Sequence, residues 1–144
     1  MKFNFTLLSF NVLSETYLVR HQQELYSSYP PRVLQWQHRR DLIIKEILST
    51  NPDIVCLQEV DNSYFYEFYS PALSGFGFAG HFLPRTKYRI ADGVAIFYRK
   101  VLFKLLDCRS VDMDKGAGVL KSSNVALIAL LEPIIPKHPW EKTG

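Results

Sequence analysis

Two stretches of the chain are apolar without alternation. Ile54, Val55, Cys56 and Leu57 stand between Asp53 and Gln58 with no polar residue among them, the pattern of a strand covered on both faces rather than half open to water. Phe3 to Leu13 is a second, mostly apolar strand pattern whose later part carries Asn11. Between the two, Ile43, Ile44, Ile47 and Leu48 fall at i, i+1, i+4 and i+5, one apolar stripe on a helix from about Arg32 to Thr50. Pro30-Pro31 opens that helix and Asn51-Pro52 closes it. Arg39, Arg40 and Lys45 are expected on its solvated face. Ser14 to Pro31 reads as a long polar connection with one helical turn near Gln22 to Tyr26.

Downstream, Asp61 or Ser63 is a plausible N-cap for a short aromatic helix from Tyr64 to Leu73, ending before Gly75. Its rings (Tyr64, Phe65, Tyr66, Phe68, Tyr69) could stack nucleobases, but at helical spacing they predict packing against a sheet. Phe76 to Phe82 predicts a strand. Gly93 to Arg99 and Val101 to Asp107 predict two more in close succession, a hairpin about Arg99-Lys100. Asp112 to Ser123 reads as a loop, whose Asp112-x-Asp114 lacks the glycine and glutamate of a calcium loop and is taken as solvated. Asn124 to Glu132 is an apolar strand, with Val125, Leu127, Ala129 and Leu131 on one face and Ala126, Ile128 and Leu130 on the other. Pro133, Pro136 and Pro139 then break regular structure. Strands mixed with helices give an α/β class, with a domain over residues 1–133 and a proline-containing tail over 134–144.

Composition narrows little. At 144 residues with 47% hydrophobic and 22% charged content, the chain can build one real core. A net charge of +3 is compatible with a polyanionic substrate without requiring one. Cys56 and Cys108 sit in apolar strand runs and read as reduced core residues. No apolar stretch is long enough to span a bilayer. Asn4, Thr6, Ser9 and Asn11 interrupt the apolar start, which therefore reads as a strand and not a signal peptide.

The candidate chemistry lies at strand ends. Glu59 falls where its strand leaves the core, a placement that holds a carboxylate on rigid backbone within reach of solvent. Taken alone, it reads first as an exposed surface residue at a strand end. If the strands carrying Asn11 and Glu59 are neighbours, both residues emerge at the same end. A carboxylate there can hold Mg²⁺, and an amide can bond a phosphate oxygen or an attacking water without adding negative charge. Arg85, Lys87 and Arg89 form a basic loop able to contact phosphates, or else a solvated connection.

Ser9-Phe-Asn11-Val-Leu, Tyr29-Pro, Leu34-x-Trp36-x-x-Arg39, Ile44-x-x-Ile47, Asp53-Ile-Val-Cys-Leu-Gln-Glu59-Val60 and Asp92-Gly-Val-Ala-Ile-Phe occur in this order. Together they resemble the endonuclease/exonuclease/phosphatase superfamily, and within it the branch of carbon-catabolite-repressor-type deadenylases, angel proteins, nocturnin and 2′,5′-phosphodiesterases. The resemblance runs from about Phe5 to Pro133. It implies the N-terminal half of a four-layer α/β/β/α sandwich, DNase I-like, in which Trp36 and Arg39 matter structurally. It also implies phosphodiester hydrolysis with Mg²⁺ or Mn²⁺: Glu59 as metal ligand and catalytic residue, Asn11 orienting the scissile phosphate or nucleophile, and the basic loop on the substrate. The implied substrate is RNA, a poly(A) 3′ end degraded 3′-to-5′. The implied partners are deadenylase-complex or mRNA-decay proteins, with no membrane. The implied setting is cytoplasmic or nuclear, with organellar targeting left open because the first strand begins almost at Met1.

The Asn-Thr-His, Asp-x-Asn and Ser-Asp-His motifs that complete such sites do not occur, and none of the four histidines (His21, His38, His81, His138) has that context. The chain is therefore expected to be inactive alone. Two other readings share the fold: a non-catalytic RNA- or protein-binding module, and a nucleotide or phosphoinositide phosphatase.

Overall fold

The computed structural model describes residues 3–85, 91–113 and 124–135. Lys87, Arg89, Asp114 and the tail from Pro136 onward lie outside the described residues, as does His138. The order of elements is β1 (Leu7–Asn11), α1 (Glu15–Leu25), α2 (Pro31–Leu34), α3 (Trp36–Ser49), β2 (Ile54–Asp61) and α4 (Asn62–Tyr64). A π-helical stretch Phe65–Tyr69 and α5 (Ser70–Gly75) follow, then β3 (Phe78–Pro84), β4 (Asp92–Arg99), β5 (Phe103–Asp112) and β6 (Val125–Pro133).

β2 is the centre of a four-stranded sheet ordered β1-β2-β4-β3. Only the β1–β2 pair is parallel, in the register Leu7↔Ile54 to Asn11↔Gln58, while β4 runs antiparallel to both β2 and β3. Because side chains alternate across a strand, Val55 and Leu57 point to one face and Ile54 and Cys56 to the other. Both faces are covered, as the unbroken apolar run predicts. On one side Val55, Leu57, Val60, Ala95, Phe97 and Phe78 pack with Ile43, Ile47, Phe65, Tyr69 and Leu73 of the helices. On the other, Ile54 and Tyr98 pack with Phe103, joined by Leu105 and Leu131 of a second sheet made by β5 and β6. Helices, large sheet and small sheet form three successive layers of an α/β/β/α sandwich.

Several local expectations change. The connection after β1 is a full helix: Ser14 caps α1 by accepting a hydrogen bond from the Tyr17 N–H, a signal masked by the polar run His21-Gln22-Gln23-Glu24. The helix predicted from Arg32 to Thr50 is broken at Gln35, which is extended at φ −66°, ψ 137°. β4 and β5 make no hairpin, because both edges of β4 are already taken by β2 and β3, so the chain turns at Lys100 and pairs β5 with β6 instead. Leu131 of β6 packs on this chain's own large sheet, and the opposite face of β6 exposes Ile128 and Leu130.

Arg39 is not solvated. Its guanidinium donates to Glu15 Oε2 (3.0 Å), to the Val12 carbonyl (2.8 Å) and to the Leu13 carbonyl. It thereby clamps the β1–α1 corner, in keeping with the structural importance the resemblance implies. Trp36 lies flat on Tyr64, with centroids 3.9 Å apart and planes within 2°. Tyr69, Phe65 and Leu73 are buried in the helix-side core, so the aromatic helix is mainly a packing element.

Candidate active site at the mouth of the two sheets

Strand direction decides what meets at the sheet's end. β1, β2 and β3 finish there and antiparallel β4 starts there, so Asn11, Glu59, Arg85 and Asp92 are brought to one place. The end of β5 and the start of β6 add Met113, Asn124 and Val125, and Tyr17 of α1 closes the side. These residues line a cleft of about 320 Å³.

Glu59 occupies a β-bulge. The β2–β4 register slips between Gln58 and Val60, leaving Glu59 as the extra residue at φ 57°. That left-handed conformation is usually occupied by Gly in bulges of this kind, and a side chain there is strained. The bulge lets two successive residues, Gln58 and Glu59, face the same cleft. Asn11 Nδ2 donates to Glu59 Oε1 (2.8 Å) and the Ser14 N–H donates to Oε2 (3.2 Å). The Asn11 Oδ1 in turn accepts from the Leu13 N–H (2.9 Å). Asn11 and Glu59 are therefore together, at the same end, as the strand reading requires.

One strand turn on, Asp61 Oδ2 accepts from the Glu15 N–H (2.9 Å). The two carboxylates at the end of β2 thus hold consecutive N–H groups at the start of α1. Burial pushes the Asp61 carboxyl up to about 6; the Glu15 N–H bond opposes this, while the charges of Asp92 and Glu15 add to it.

Across the cleft, Asp92 is almost fully buried and both of its oxygens accept from Arg85 Nη2 at 2.6 Å. Arg85 Nη2 also reaches the Tyr17 hydroxyl (3.2 Å). Burial raises the Asp92 carboxyl, offset in part by the Arg85 hydrogen bond and increased by the charge of Glu59. Desolvation works against the Arg85 charge, but its hydrogen bonds to Asp92 and Tyr17 outweigh it and raise the pKa. Of the three basic-loop residues, Arg85 is placed in the cleft. Asp92, Tyr17 and Gln58 gain a place there that sequence reasoning did not assign, and Ser14 supports the site through its N–H to Glu59. Asp92 was visible within the Asp92-Gly93 block, but nothing in the sequence says that it faces Arg85.

Among the described residues no three His, Cys, Asp or Glu side chains converge in a metal-binding group. The donor chemistry at Glu59 nonetheless suits a hard cation. A carboxylate offers about four lone-pair sites, and among the described residues two hydrogen bonds reach its oxygens. Mg²⁺ commonly takes one or two protein carboxylates and fills its octahedron with water and phosphate oxygens.

A sequence profile described as "Endonuclease/Exonuclease/phosphatase family" matches residues 8–131. Protein angel homolog 1 of Rattus norvegicus is 35% identical over 137 residues, which cover 94% of this chain and 20% of that protein. The CCR4-Not complex 3′-5′-exoribonuclease subunit Ccr4 of Yarrowia lipolytica is 34% identical over 153 residues, covering 90% of this chain and 21% of its own length. The crystal structure of ANGEL2, a 2′,3′-cyclic phosphatase, in complex with adenosine-2′,3′-vanadate superimposes with a TM-score of 0.88 at 34% identity. The match covers 94% of this chain and 39% of that one. The chain thus spans about a fifth of the length of these curated relatives and corresponds to the N-terminal part of the shared domain. With a profile match reaching from β1 into β6, the chain belongs to the endonuclease/exonuclease/phosphatase family.

Proposed function

We propose that this chain supplies the metal-holding and phosphate-facing side of a hydrolase acting at RNA 3′ ends, as a 3′-5′ exoribonuclease of the deadenylase kind. One observation carries the reading. A carboxylate on a strained bulge, fixed through both oxygens by Asn11 and the Ser14 N–H, shares a cleft with an arginine that a buried aspartate holds in place. Glu59 would hold Mg²⁺ or Mn²⁺, which when bound neutralises charge on the phosphoryl oxygen and lowers the pKa of nearby water. Asn11 keeps one amide hydrogen beyond its bond to Glu59, enough to orient a phosphate oxygen or the attacking water. Arg85 sets a fixed positive charge at the cleft wall, where charge-assisted bonds to phosphate are strong. Lys87 and Arg89, which follow Arg85 closely in the sequence, would add further phosphate contacts.

Among the described residues no histidine lines the cleft, and the family's later motifs do not occur in the sequence. A general base must come from elsewhere, so the 144-residue chain assayed alone is expected not to turn over substrate. The likeness to a CCR4-Not subunit supports mRNA-decay proteins as partners.

The test extends the chain through the second half of the domain and offers three substrates: oligo(A) with a 3′-hydroxyl, mixed-sequence RNA, and RNA ending in a 2′,3′-cyclic phosphate. Stepwise shortening of oligo(A), lost on chelation and in Glu59→Ala, is the expected result. Opening of the cyclic phosphate without shortening would favour a second reading, supported by the likeness to ANGEL2. No divalent-dependent hydrolysis of any of the three would remove the enzyme reading in favour of a binding module.

A further inference from the structure

We propose that the exposed face of α1 beside the cleft binds single-stranded RNA upstream of the reacting phosphate. This rests on the reading of the cleft as an RNA 3′-end site. Tyr17 is the hinge of the arrangement, since it lines the cleft and also stands one helical turn from Arg20 and His21. At positions i, i+3 and i+4 these three side chains share one helix face. The Arg85 guanidinium lies 5.5 Å from the Tyr17 ring centroid and that of Arg20 5.9 Å. The His21 ring runs nearly parallel to Tyr17, 12° apart in plane and 6.3 Å between centroids. Cations and flat rings therefore alternate from the cleft wall out along α1.

Their partners separate the two arginines. Arg85 is tied to Asp92, as Arg39 is to Glu15 and Arg99 to Asp53. Arg20 is exposed and forms no ion pair among the described residues, so its charge is available to a ligand. Glu24, one helical turn beyond Arg20, pairs with His21 at 3.3 Å and is itself largely exposed. A chain of phosphates spaced by flat bases matches a cation set beside aromatic faces, and such platforms tolerate any base sequence. Arg85 would meet the terminal phosphate in the cleft. Arg20 would meet one farther up the strand, with a base against Tyr17 or His21.

The experiment measures binding of the 144-residue chain to fluorescein-labelled oligo(A) of about 12 nucleotides across a salt series, with AMP as the minimal ligand. Arg20→Ala should weaken oligo(A) about 5-fold at low salt and reduce the log–log salt slope by about 0.7, the share of one phosphate contact on a single strand. AMP affinity should not change, because AMP carries a single phosphate, which Arg85 would meet in the cleft, and leaves none for Arg20. Arg20→Lys should restore the slope. Arg109→Ala, an exposed arginine on β5, serves as the control and should match wild type. A wild-type slope in Arg20→Ala, an equal loss of AMP binding, or no oligo(A) binding by the wild-type chain would each overturn the proposal. Hydrolysis by the completed domain reports on Glu59 independently, so failure of this track and failure of the cleft's chemistry are told apart.

Discussion

Glu59 keeps its side chain at φ 57°, where a residue other than Gly is disfavoured by roughly 1–2 kcal/mol. Glu59→Gly and Glu59→Ala both remove the bonds to Asn11 and Ser14, so comparing them isolates the backbone. The Gly variant should be more stable than the Ala variant by about 1 kcal/mol in urea unfolding. Equal midpoints and slopes would mean that the bulge relaxes when the side chain goes. In the completed domain both variants should lose turnover by orders of magnitude, and Asn11→Ala should lower kcat more than it raises KM. Wild-type rates in Glu59→Ala at limiting metal would show that another group holds the ion. Asn11 and Glu59 are legible in the sequence because each is a polar residue ending an apolar run. The Ser14 N–H is not, since a backbone donor leaves no mark on residue identity. Asp61 reads as a helix cap, yet its carboxylate turns to α1 rather than to the helix that follows it.

The β1–α1 corner depends on one arginine. Arg39→Met keeps much of the packing volume but strips donors from the Val12 and Leu13 carbonyls and from Glu15, and should cost on the order of 2–4 kcal/mol. Gly93 marks a second tight point, because a Cβ there would come within 2.1 Å of the Leu83 carbonyl oxygen on β3. Gly93→Ala should therefore destabilise the β3–β4 pair by at least about 3 kcal/mol, read as a fall in the thermal midpoint. Asp61 gives α1 a dependence on pH. Its folded carboxyl titrates at about 6 against an ordinary 3.8, chiefly through burial, so the folded chain binds that proton more tightly than the unfolded one. Between those values the Asp61 contribution to stability falls as pH rises, and the penalty is complete above about 6. The stability difference between wild type and Asp61→Asn should shift by up to about 3 kcal/mol between pH 4 and 7, and a constant difference would assign the pH dependence to other groups. The stripe on α3 was readable from spacing alone. The absent β4–β5 hairpin was not, because closeness in sequence cannot reveal that both edges of β4 are occupied.

The small sheet leaves Leu106, Ile128 and Leu130 each more than half exposed, and among the described strands β5 and β6 pair only with each other, so each has an edge without a strand partner. Such surfaces invite association, so the 144-residue chain should run above its monomer mass in light scattering. Ile128→Lys with Leu130→Glu should return it towards 16.7 kDa, and unchanged association would point to another surface. The layering was legible through family resemblance, while the strand order needed the register itself. That register has a kinetic consequence. β1 is hydrogen-bonded along one edge only among the described strands, to a partner 47 positions later (Leu7 to Ile54). A parallel pairing of that span must close a long loop before any contact rewards it, whereas β3 and β4 meet antiparallel after a short excursion. β1 is therefore expected to dock late in refolding and to detach early. In native-state hydrogen exchange its amides should open with a lower free energy than those of Val55 to Leu57, and uniform protection would contradict this. A molecule caught with β1 undocked would keep most of its circular dichroism, yet Asn11 would have left Glu59 and the cleft would no longer exist.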